Sequence, residues 1–278
     1  MSEKVRYTPY MQFAPLVVLV SLSMPLWSGP PPNTLTAEEK RGGWTLLFDG
    51  TSMKGWVDPR RQNPAGDAWS IEDGCLKAKS KPRITEDLFS VPTFGDFELV
   101  FEWRIAAAGN SGVKYRIQDH FFVVYSTPKR KFELEAEKSL AARSGKRLSE
   151  GQDYVVGFEY QITDDQTNSD SKSNPKHTAG ALYDMQAPSS HAAKPVGEFN
   201  QGRIVLRGNR VQHWLNGAQV VDASLDSTES LAAIDGRWGQ SPLIRELLVK
   251  QPRKRAPISL QNHGDEAWFR GIKIRRLD

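Results

Sequence analysis

The sequence predicts an all-β protein, an antiparallel jelly-roll β-sandwich with short helical insertions. Three observations support this fold class. Short runs rich in β-branched and aromatic residues alternate with polar positions along most of the chain. Tight-turn dipeptides separate these runs, namely Asp49-Gly50, Asp73-Gly74, Gly208-Asn209 and Asn216-Gly217. A length of 278 residues suits one large sandwich.

The strand pattern begins shortly after Thr36, which is placed to cap a short first helix. Strands are predicted at Thr45–Phe48, Trp69–Glu72, Cys75–Ala78, Phe97–Ile105, Gly112–Ile117, Tyr154–Thr163, Arg203–Arg207, Arg210–Leu215, Gln219–Asp222, Ile258–Gln261 and Trp268–Arg275. The three strands between residues 203 and 222 are joined by two tight turns and form a meander. Many short strands joined in this way are typical of a sandwich.

Two segments depart from the strand pattern. Residues 131–145 are rich in Glu, Lys, Ala and Leu and predict a helix that ends at Gly145. Residues 225–255 predict a second helical stretch around positions 241–250. Long insertions of this kind often form the rim of a site, although either one can equally be peripheral.

The N-terminus has the pattern of an export signal. Lys4 and Arg6 precede an apolar run from Phe13 to Trp27, which Pro15 and Pro25 interrupt. The run is short for a membrane span, so we expect a signal peptide, with an uncleaved anchor as the alternative. From this pattern we expect export of the protein to the periplasm or the extracellular space. The predicted organisation is a signal or anchor segment and Pro-rich linker over residues 1–35, then a single domain over residues 36–278.

Charge and cysteine content exclude several function classes. The formal net charge is +4, and the basic run from Lys250 to Arg255 has no aromatic–basic module beside it, so it predicts a solvated loop and no nucleic-acid partner. Cys75 is the only cysteine, which excludes an intramolecular disulfide and a cysteine-based zinc site. Its place between two predicted strands favours a buried small residue over a catalytic thiol.

The most informative strand runs from Gly157 to Asp165. Alternation puts Glu159, Gln161 and Thr163 on one face, and the apolar residues between them on the other. A carboxylate and an amide in a row indicate the floor of a polar cleft. A half-solvated strand with a polar outer face is the alternative for this segment taken alone.

Further polar motifs lie on other strands and at strand ends, and no phosphate-binding loop, nucleophile elbow or HExxH motif accompanies them. The ordered motifs are Leu47-Phe48-Asp49-Gly50-Thr51, Gly95-Asp96-Phe97-Glu98-Leu99, Glu102-Trp103-Arg104, Gly109-Asn110-Ser111-Gly112-Val113, Tyr115-Arg116, Phe158-Glu159-Tyr160-Gln161-Ile162, Gly180-Ala181-Leu182-Tyr183, Lys194-Pro195-Val196-Gly197-Glu198-Phe199-Asn200, Trp214-Leu215-Asn216-Gly217 and Ser259-Leu260-Gln261-Asn262-His263-Gly264. In this order they resemble the 3-keto-disaccharide hydrolase domain. The resemblance runs from Gly43 to Leu277.

This resemblance implies a concanavalin A-like jelly roll, exported by bacteria, that cleaves glycosides already oxidised to a ketone at C3. Three positions depart from the common family pattern. Phe199 stands where Trp is usual, and Gly271 stands where Asn is common. The segment over residues 118–155 is longer than in the common pattern. The longer segment is placed to reshape the substrate entrance.

A C3 ketone makes the C2 proton acidic, so the implied reaction needs a base near C2 and donors that hold the ketone oxygen. From residue type and strand position, Glu159 is the first candidate for acid/base work, Asp164 the second, and His263 a proton relay. Arg116 and Lys194 are candidates for stabilising the enolate oxygen. The candidates for binding substrate hydroxyls are Asn110, Gln161, Tyr183, Asn200 and Gln261. No cofactor is evident, although Glu159, Asp164 and His263 are residue types that together hold a divalent cation.

Two other functions fit the same pattern. A non-catalytic, lectin-like carbohydrate-binding module uses the same sandwich, but would need fewer titratable groups on its face. A conventional glycosidase needs two carboxylates that flank the bond, and Glu159 followed by Gln161 does not supply that pair. We therefore expect an oxidised glycoside or other carbohydrate as the partner, with membrane contact only through the N-terminal segment.

Overall fold

The computed structural model describes residues 31–58, 66–82, 86–124, 151–238 and 245–278, and for 119–124 and 151–154 only the backbone. Within these ranges the strands form two antiparallel sheets. In chain order they are β1 Trp44–Leu46, β2 Trp56–Val57, β3 Trp69–Glu72, β4 Cys75–Ala78, β5 Leu88–Phe94, β6 Phe97–Ile105, β7 Asn110–Val124, β8 Gly151–Thr163, β9 Asn200–Arg207, β10 Arg210–Leu215, β11 Ala218–Ser224, β12 Ala256–Leu260 and β13 Ala267–Arg276.

One sheet has the order β11-β10-β9-β6-β13-β4-β3, with β1 paired to β13, and the other has the order β2-β5-β12-β7-β8. Non-consecutive strands lie side by side in both sheets, which is the crossing connectivity of a jelly roll. The jelly-roll β-sandwich predicted from the sequence is therefore confirmed.

Aromatic side chains from the two sheets meet in the core. The rings of Phe101 on β6 and Tyr160 on β8 pack edge to face with centroids 5.3 Å apart. The buried His213 of β10 bonds to the hydroxyl of Tyr115 on β7 at 2.8 Å, and its Nδ1 lies 3.0 Å from the Gly180 carbonyl. Burial lowers the pKa of His213 to about 4, so a neutral imidazole links the two sheets.

Every predicted strand is present; the bounds of β3, β4, β6 and β10 match the predictions, and the others differ at one or both ends, most of all at the end of β7. Two strands were missed, β2 and β5. The short β2 has no alternation to detect, and β5 contains Pro92, which usually argues against a strand inside a sheet. The structure accommodates Pro92 because the β5–β12 register shifts between Pro257 and Ser259. The hydroxyl of Ser90 also donates to the Pro92 carbonyl at 2.7 Å.

The predicted first helix is confirmed as α1, Ala37–Arg41. The Thr36 hydroxyl accepts from the Glu39 amide at 3.1 Å, and the Glu39 carboxylate accepts from the Thr36 amide at 2.9 Å. This reciprocal pair is a capping box, so the prediction of Thr36 as the N-cap was also correct.

The predictions for the insertions have mixed outcomes. The helix predicted at 131–145 and the N-terminal segment lie outside the described residues. In the second insertion a π-helical turn at Glu246–Lys250 lies within the stretch predicted at 241–250, of which residues 241–244 lie outside the described residues, and a helix at Thr228–Trp238 was not predicted. A short helix at Ser169–Ser173 was not predicted. The helix at Ser169–Ser173 is named α2, and the helix at Thr228–Trp238 is named α3.

Among the described residues, none of the helices combines the length and apolar character that crossing a membrane requires.

The expectations that Cys75 is buried and that the basic run is exposed are also confirmed. Cys75 is buried, and burial raises the pKa of its thiol, as expected of an unreactive core residue. Of the basic run, Lys250, Arg253, Lys254 and Arg255 are exposed.

Candidate active site

The outer face of the five-stranded sheet has a buried polar cluster centred on Glu159. Phe158, Tyr160 and Ile162 pack into the core between the sheets, so alternation puts Glu159 and Gln161 on the opposite face. Glu159 is only 4% exposed, and Gln161 is fully buried. A buried carboxylate and amide on this face fit a covered site better than a solvated surface.

Neighbouring strands bring further polar side chains to this face. In the sheet register Lys114 of β7 lies opposite Glu159 of β8, and Ser259 of β12 lies opposite Lys114. Lys114 Nζ is 2.8 Å from Asp87 Oδ2, and the Ser259 hydroxyl donates to the same oxygen at 3.3 Å. Lys114, Asp87 and Ser259 are all buried. The strand register therefore places Lys114, a cation paired with Asp87, beside Glu159.

Gln261 joins Lys114 to Glu159. Its backbone amide donates to the Gly112 carbonyl at 2.9 Å, which aligns the residue with the end of β12. With the side-chain amide oriented to satisfy both neighbours, its nitrogen donates to Glu159 Oε1 at 3.3 Å and its oxygen accepts from Lys114 Nζ at 3.2 Å. Gln261 thus holds one oxygen of the carboxylate in place.

Arg237 of α3 reaches the other oxygen of Glu159. Its Nη2 lies 3.6 Å from Glu159 Oε2, and the Arg237 side chain is only 7% exposed. Its Nη1 donates to the Tyr183 carbonyl at 3.0 Å, and its Nε lies 3.8 Å from Asp184 Oδ2. Glu159 is therefore held between a glutamine amide on the sheet and a guanidinium from the insertion. Arg237 was not among the predicted site residues, because no helix was predicted at Thr228–Trp238.

Gln161 has an unused hydrogen-bonding atom. Its Nε2 donates to Asn110 Oδ1 at 3.3 Å. Its Oε1 is buried and has no hydrogen-bond partner among the described residues. Buried polar atoms are nearly always satisfied, so a bound hydroxyl or amide donor would complete this one. Gln161, Asn110 and Gln261, three of the predicted binding residues, therefore lie in or beside the Glu159 cluster.

Tyr183 lies beside the cluster, but a neighbouring carboxylate uses its hydroxyl. The backbone amide of Tyr183 donates to the Glu159 carbonyl at 3.1 Å, and the hydroxyl donates to Asp170 Oδ2 at 3.1 Å. Burial raises the pKa of Tyr183, as do the carboxylates of Asp170 and Glu159. Tyr183 thus stays a neutral phenol that donates its proton to Asp170, and its role in binding a substrate hydroxyl stays a prediction.

Asp164 is removed from the cluster and has a different task. It lies five residues beyond Glu159, about 16 Å along an extended chain. Its carboxylate accepts hydrogen bonds from the amides of Ala108, Gln166 and Thr167 and from the Thr167 hydroxyl. Burial acts to raise the pKa of Asp164, but these hydrogen bonds outweigh it and lower the pKa. The geometry makes Asp164 an anchor of the turn after β8 and does not bring it to the Glu159 cluster, so its role as a second acid/base group stays a prediction.

Arg116 is also turned away from Glu159. The β7–β8 register shifts between Tyr115 and Asp119, and Arg116 has a φ of 51° in this bulge. Its Nη1 donates to Asn209 Oδ1 at 2.9 Å, in the turn between β9 and β10 of the other sheet. Burial lowers the pKa of Arg116. The bulge therefore does not bring Arg116 to the Glu159 cluster, and its role in stabilising an enolate stays a prediction.

Lys194 and Asn200 belong to another part of the molecule. The Lys194 amide donates to Asn200 Oδ1 at 2.7 Å, and its Nζ donates to the Phe199 carbonyl at 3.0 Å. Asn200 also accepts from Asn216 Nδ2 at 2.8 Å, which ties together two loops of the eight-stranded sheet. Lys194 lines an open cavity of about 480 Å³ at the end of the sandwich, with Asp164 and Asp165. The pair is thus not brought to the Glu159 cluster.

The proposed metal triad does not assemble. His263 is exposed and lies 3.8 Å from Asp265, while Asp164 is bound to its own turn. In the part of the chain that the structure describes, no three His, Cys, Asp or Glu side chains are arranged to hold a metal ion. Glu159, Asp164 and His263 are therefore not a cation site.

Comparison with known proteins gives one family and several related structures. A family model described as the 3-keto-alpha-glucoside-1,2-lyase-like domain matches residues 43–275. A Bacteroides thetaiotaomicron protein named 3-keto-disaccharide hydrolase is 29% identical over 249 residues, which are 85% of this chain and 79% of that protein.

Two crystal structures of Parabacteroides distasonis proteins, provisionally named glycosyl hydrolases, have similar folds. One is 25% identical with a TM-score of 0.63, and the similarity covers 89% of this chain and 100% of that one. The other is 24% identical with a TM-score of 0.53, and covers 84% and 99% of the two chains. The matched ranges are long enough to include both sheets.

Proposed function

Because the chain belongs to the 3-keto-alpha-glucoside-1,2-lyase-like domain family, we propose that it is an enzyme that cleaves glycosides oxidised to a ketone at C3. Family membership and the 29% identical 3-keto-disaccharide hydrolase support a carbohydrate-cleaving activity of the hydrolase type. The choice of a 3-keto-glycoside as substrate is the finer part of the proposal. Export, which the N-terminal pattern predicts, stays a prediction.

One observation carries the proposal, namely the buried carboxylate of Glu159 with the Arg237 guanidinium 3.6 Å away and Gln261 at its other oxygen. Removal of a proton beside a ketone needs a base and a positive charge that stabilises the enolate oxygen. A covered site strengthens this electrostatic interaction because little water screens it. Glu159 and Arg237 supply both groups within one buried cluster.

In the proposed reaction Glu159 takes the proton from C2, and negative charge develops on the C3 oxygen. Arg237, with Lys114 as a second nearby cation, stabilises that charge. The bond from C1 to the leaving oxygen then breaks. Water adds its hydroxide to C1, Glu159 returns its proton to C2, and the remaining proton of the water is taken up by the released alcohol. Glu159 ends the cycle as a carboxylate, and the net reaction is hydrolysis.

Gln161 and Asn110 supply the binding side of the site. In this proposal Gln161 Oε1, which has no partner among the described residues, accepts a hydrogen bond from a sugar hydroxyl. A site with buried polar groups of this kind discriminates strongly against a ligand that leaves them unpaired. Gln161 therefore acts as a binding group and not as a second acid.

A conventional glycosidase is a second competing function beside the lectin-like module, because Asp87 and Asp184 bring further carboxylates near Glu159. Each is held by a cation, Asp87 by Lys114 at 2.8 Å and Asp184 by Arg237 at 3.8 Å. Asp87 and Asp184 are thus each engaged by a cation, and the proposal assigns the proton transfer to Glu159.

A direct assay tests the proposed function. The protein is incubated with a 3-keto-glycoside and with its unoxidised parent, and release of the aglycone is followed. We expect release from the keto compound alone. Release from the parent alone would overturn the proposal in favour of a conventional glycosidase. Saturable binding without release from either compound would indicate a lectin-like module instead.

Gly112 provides a test of how closely the site is packed. A Cβ at this position would lie 2.3 Å from Glu159 Oε1, so the Gly112→Ala substitution forces the carboxylate out of place. We expect kcat to fall roughly 100-fold, the loss that about 1 Å of misplacement causes. Gly42→Ala, where the nearest atoms would lie at 3.4 Å, is the matched control and should keep full activity. Normal turnover of the Gly112→Ala protein would show that the Glu159 carboxylate can move from its present place without loss of activity.

A further inference from the structure

His177 lies between two carboxylates next to the Glu159 cluster. It is part of a 3₁₀ turn, Pro175–His177, that follows α2. Its Nδ1 is 2.8 Å from Asp170 Oδ1, and its Nε2 is 2.6 Å from Asp184 Oδ1. Asn174 Nδ2 is 3.2 Å from the same Nε2. Each ring nitrogen of His177 thus faces an oxygen of a different carboxylate.

Two routes connect His177 to Arg237. In the first, Asp184 uses one oxygen for His177, and its other oxygen lies 3.8 Å from Arg237 Nε. In the second, the His177 ring stacks on the Tyr183 ring at 4.4 Å, and the Arg237 guanidinium lies over the same ring at 4.7 Å. Asp170 closes the network, since it accepts from both His177 and the Tyr183 hydroxyl.

Asp184 lies between His177 and Arg237. Asp170, Asp184 and Glu159 are three carboxylates within the same chain of contacts, and Arg237 touches two of them. The contact between Asp184 Oδ1 and His177 Nε2 at 2.6 Å fixes the orientation of the Asp184 carboxylate. The other Asp184 oxygen then meets Arg237 Nε, while Arg237 Nη2 faces Glu159.

We propose that His177 is a positioning residue, which holds Asp184 and Tyr183 and thereby fixes the Arg237 guanidinium against Glu159. This inference rests on the proposed function for its effect on turnover, but not for its effect on the network itself. His177 does not touch Glu159, so its influence passes through Asp184 and Tyr183. The residue lies outside every motif that the sequence analysis singled out.

Steady-state kinetics on the 3-keto-glycoside tests the effect on turnover. We expect His177→Ala to lower kcat roughly 10- to 100-fold, because a displaced guanidinium stabilises the transition state poorly. KM should change far less, because His177 holds no part of the substrate. His177→Gln retains one donor for a carboxylate and should recover part of the loss. His191→Gln, the same change at an exposed histidine, should leave kcat and KM unchanged.

A double-mutant cycle tests the network without any assay of activity. Urea unfolding is measured for His177→Gln, Arg237→Gln and the double variant. We expect the two stability changes to be non-additive, because residues in one hydrogen-bonding network couple. Additive changes would overturn the proposal, and so would His177→Ala with a normal kcat.

The two experiments separate the possible failures. If the wild-type protein turns over no keto-glycoside, the proposed function fails, and the cycle alone decides whether His177 positions Arg237. If the wild-type protein is active and His177→Ala loses activity only in proportion to its unfolded fraction, the positioning role fails while the function stands.

Discussion

Glu159→Gln is expected to lower kcat on a 3-keto-glycoside roughly 10³-fold, within the range that removal of a general base produces. The amide has nearly the same shape as the carboxylate and can still contact Gln261 and Arg237. It cannot accept the C2 proton, so the chemical step is lost while the cluster keeps its packing. Stopped assays of aglycone release, with the folded fraction checked by circular dichroism, measure the effect.

The control for this substitution is Glu198→Gln, the same change at an exposed carboxylate. It should leave kcat within the error of the wild-type value. A Glu159→Gln protein that keeps its rate would remove Glu159 from proton transfer, and Asp87 and Asp184 would then be the carboxylates to test. Loss of activity together with loss of the folded state would call for Glu159→Asp, which keeps the charge and shortens the side chain.

Arg237→Gln is expected to lower kcat about 10²- to 10³-fold, the usual loss on removing one group that stabilises a developing oxyanion. KM should change less, because negative charge on the ketone oxygen develops mainly in the transition state. Arg237→Lys should recover only part of the rate. Lysine keeps the positive charge but cannot contact Glu159, Asp184 and the Tyr183 carbonyl together.

Arg210→Gln provides the matched control for Arg237. Arg210 also pairs with a carboxylate, Asp222 at 2.7 Å, but its side chain is 66% exposed. An exposed pair contributes little to stability, and this one lies on the eight-stranded sheet. We expect unchanged turnover for this variant. If Arg237→Gln lowers kcat/KM only by raising KM, Arg237 binds the ground state and is not the group that stabilises the enolate.

Much of the fold could be predicted from the sequence because strand geometry has a period of two. Alternation around Glu159 correctly separated the core residues Phe158, Tyr160 and Ile162 from the polar face. The turn dipeptides likewise predicted the end of β3, the start of β4 and both ends of β10 to the residue. By contrast, β5 was missed, because Pro92 breaks the local signal and only the shifted register with β12 accommodates it.

The candidate site was predictable only in part, for a related reason. Gln261 and Gln161 lie with Glu159 because they are on neighbouring strands of one sheet, in a register that the polar alternation already suggested. Lys194 carries a suitable cation, but its loop belongs to the other sheet. Arg237 carries the cation that reaches Glu159, and nothing in its local sequence distinguishes it from arginines that lie on the surface.

The sequence by itself determined the class of fold, the face of β8 on which Glu159 lies, and the family resemblance, since each depends on local spacing or on the order of motifs along the chain. Only the tertiary structure decided which cations meet Glu159. A bulge of one strand turned Arg116 towards the other sheet, and the path of an insertion brought Arg237 over the face. Both outcomes depend on contacts between residues far apart in sequence, such as Glu159 and Arg237. No local pattern records such contacts.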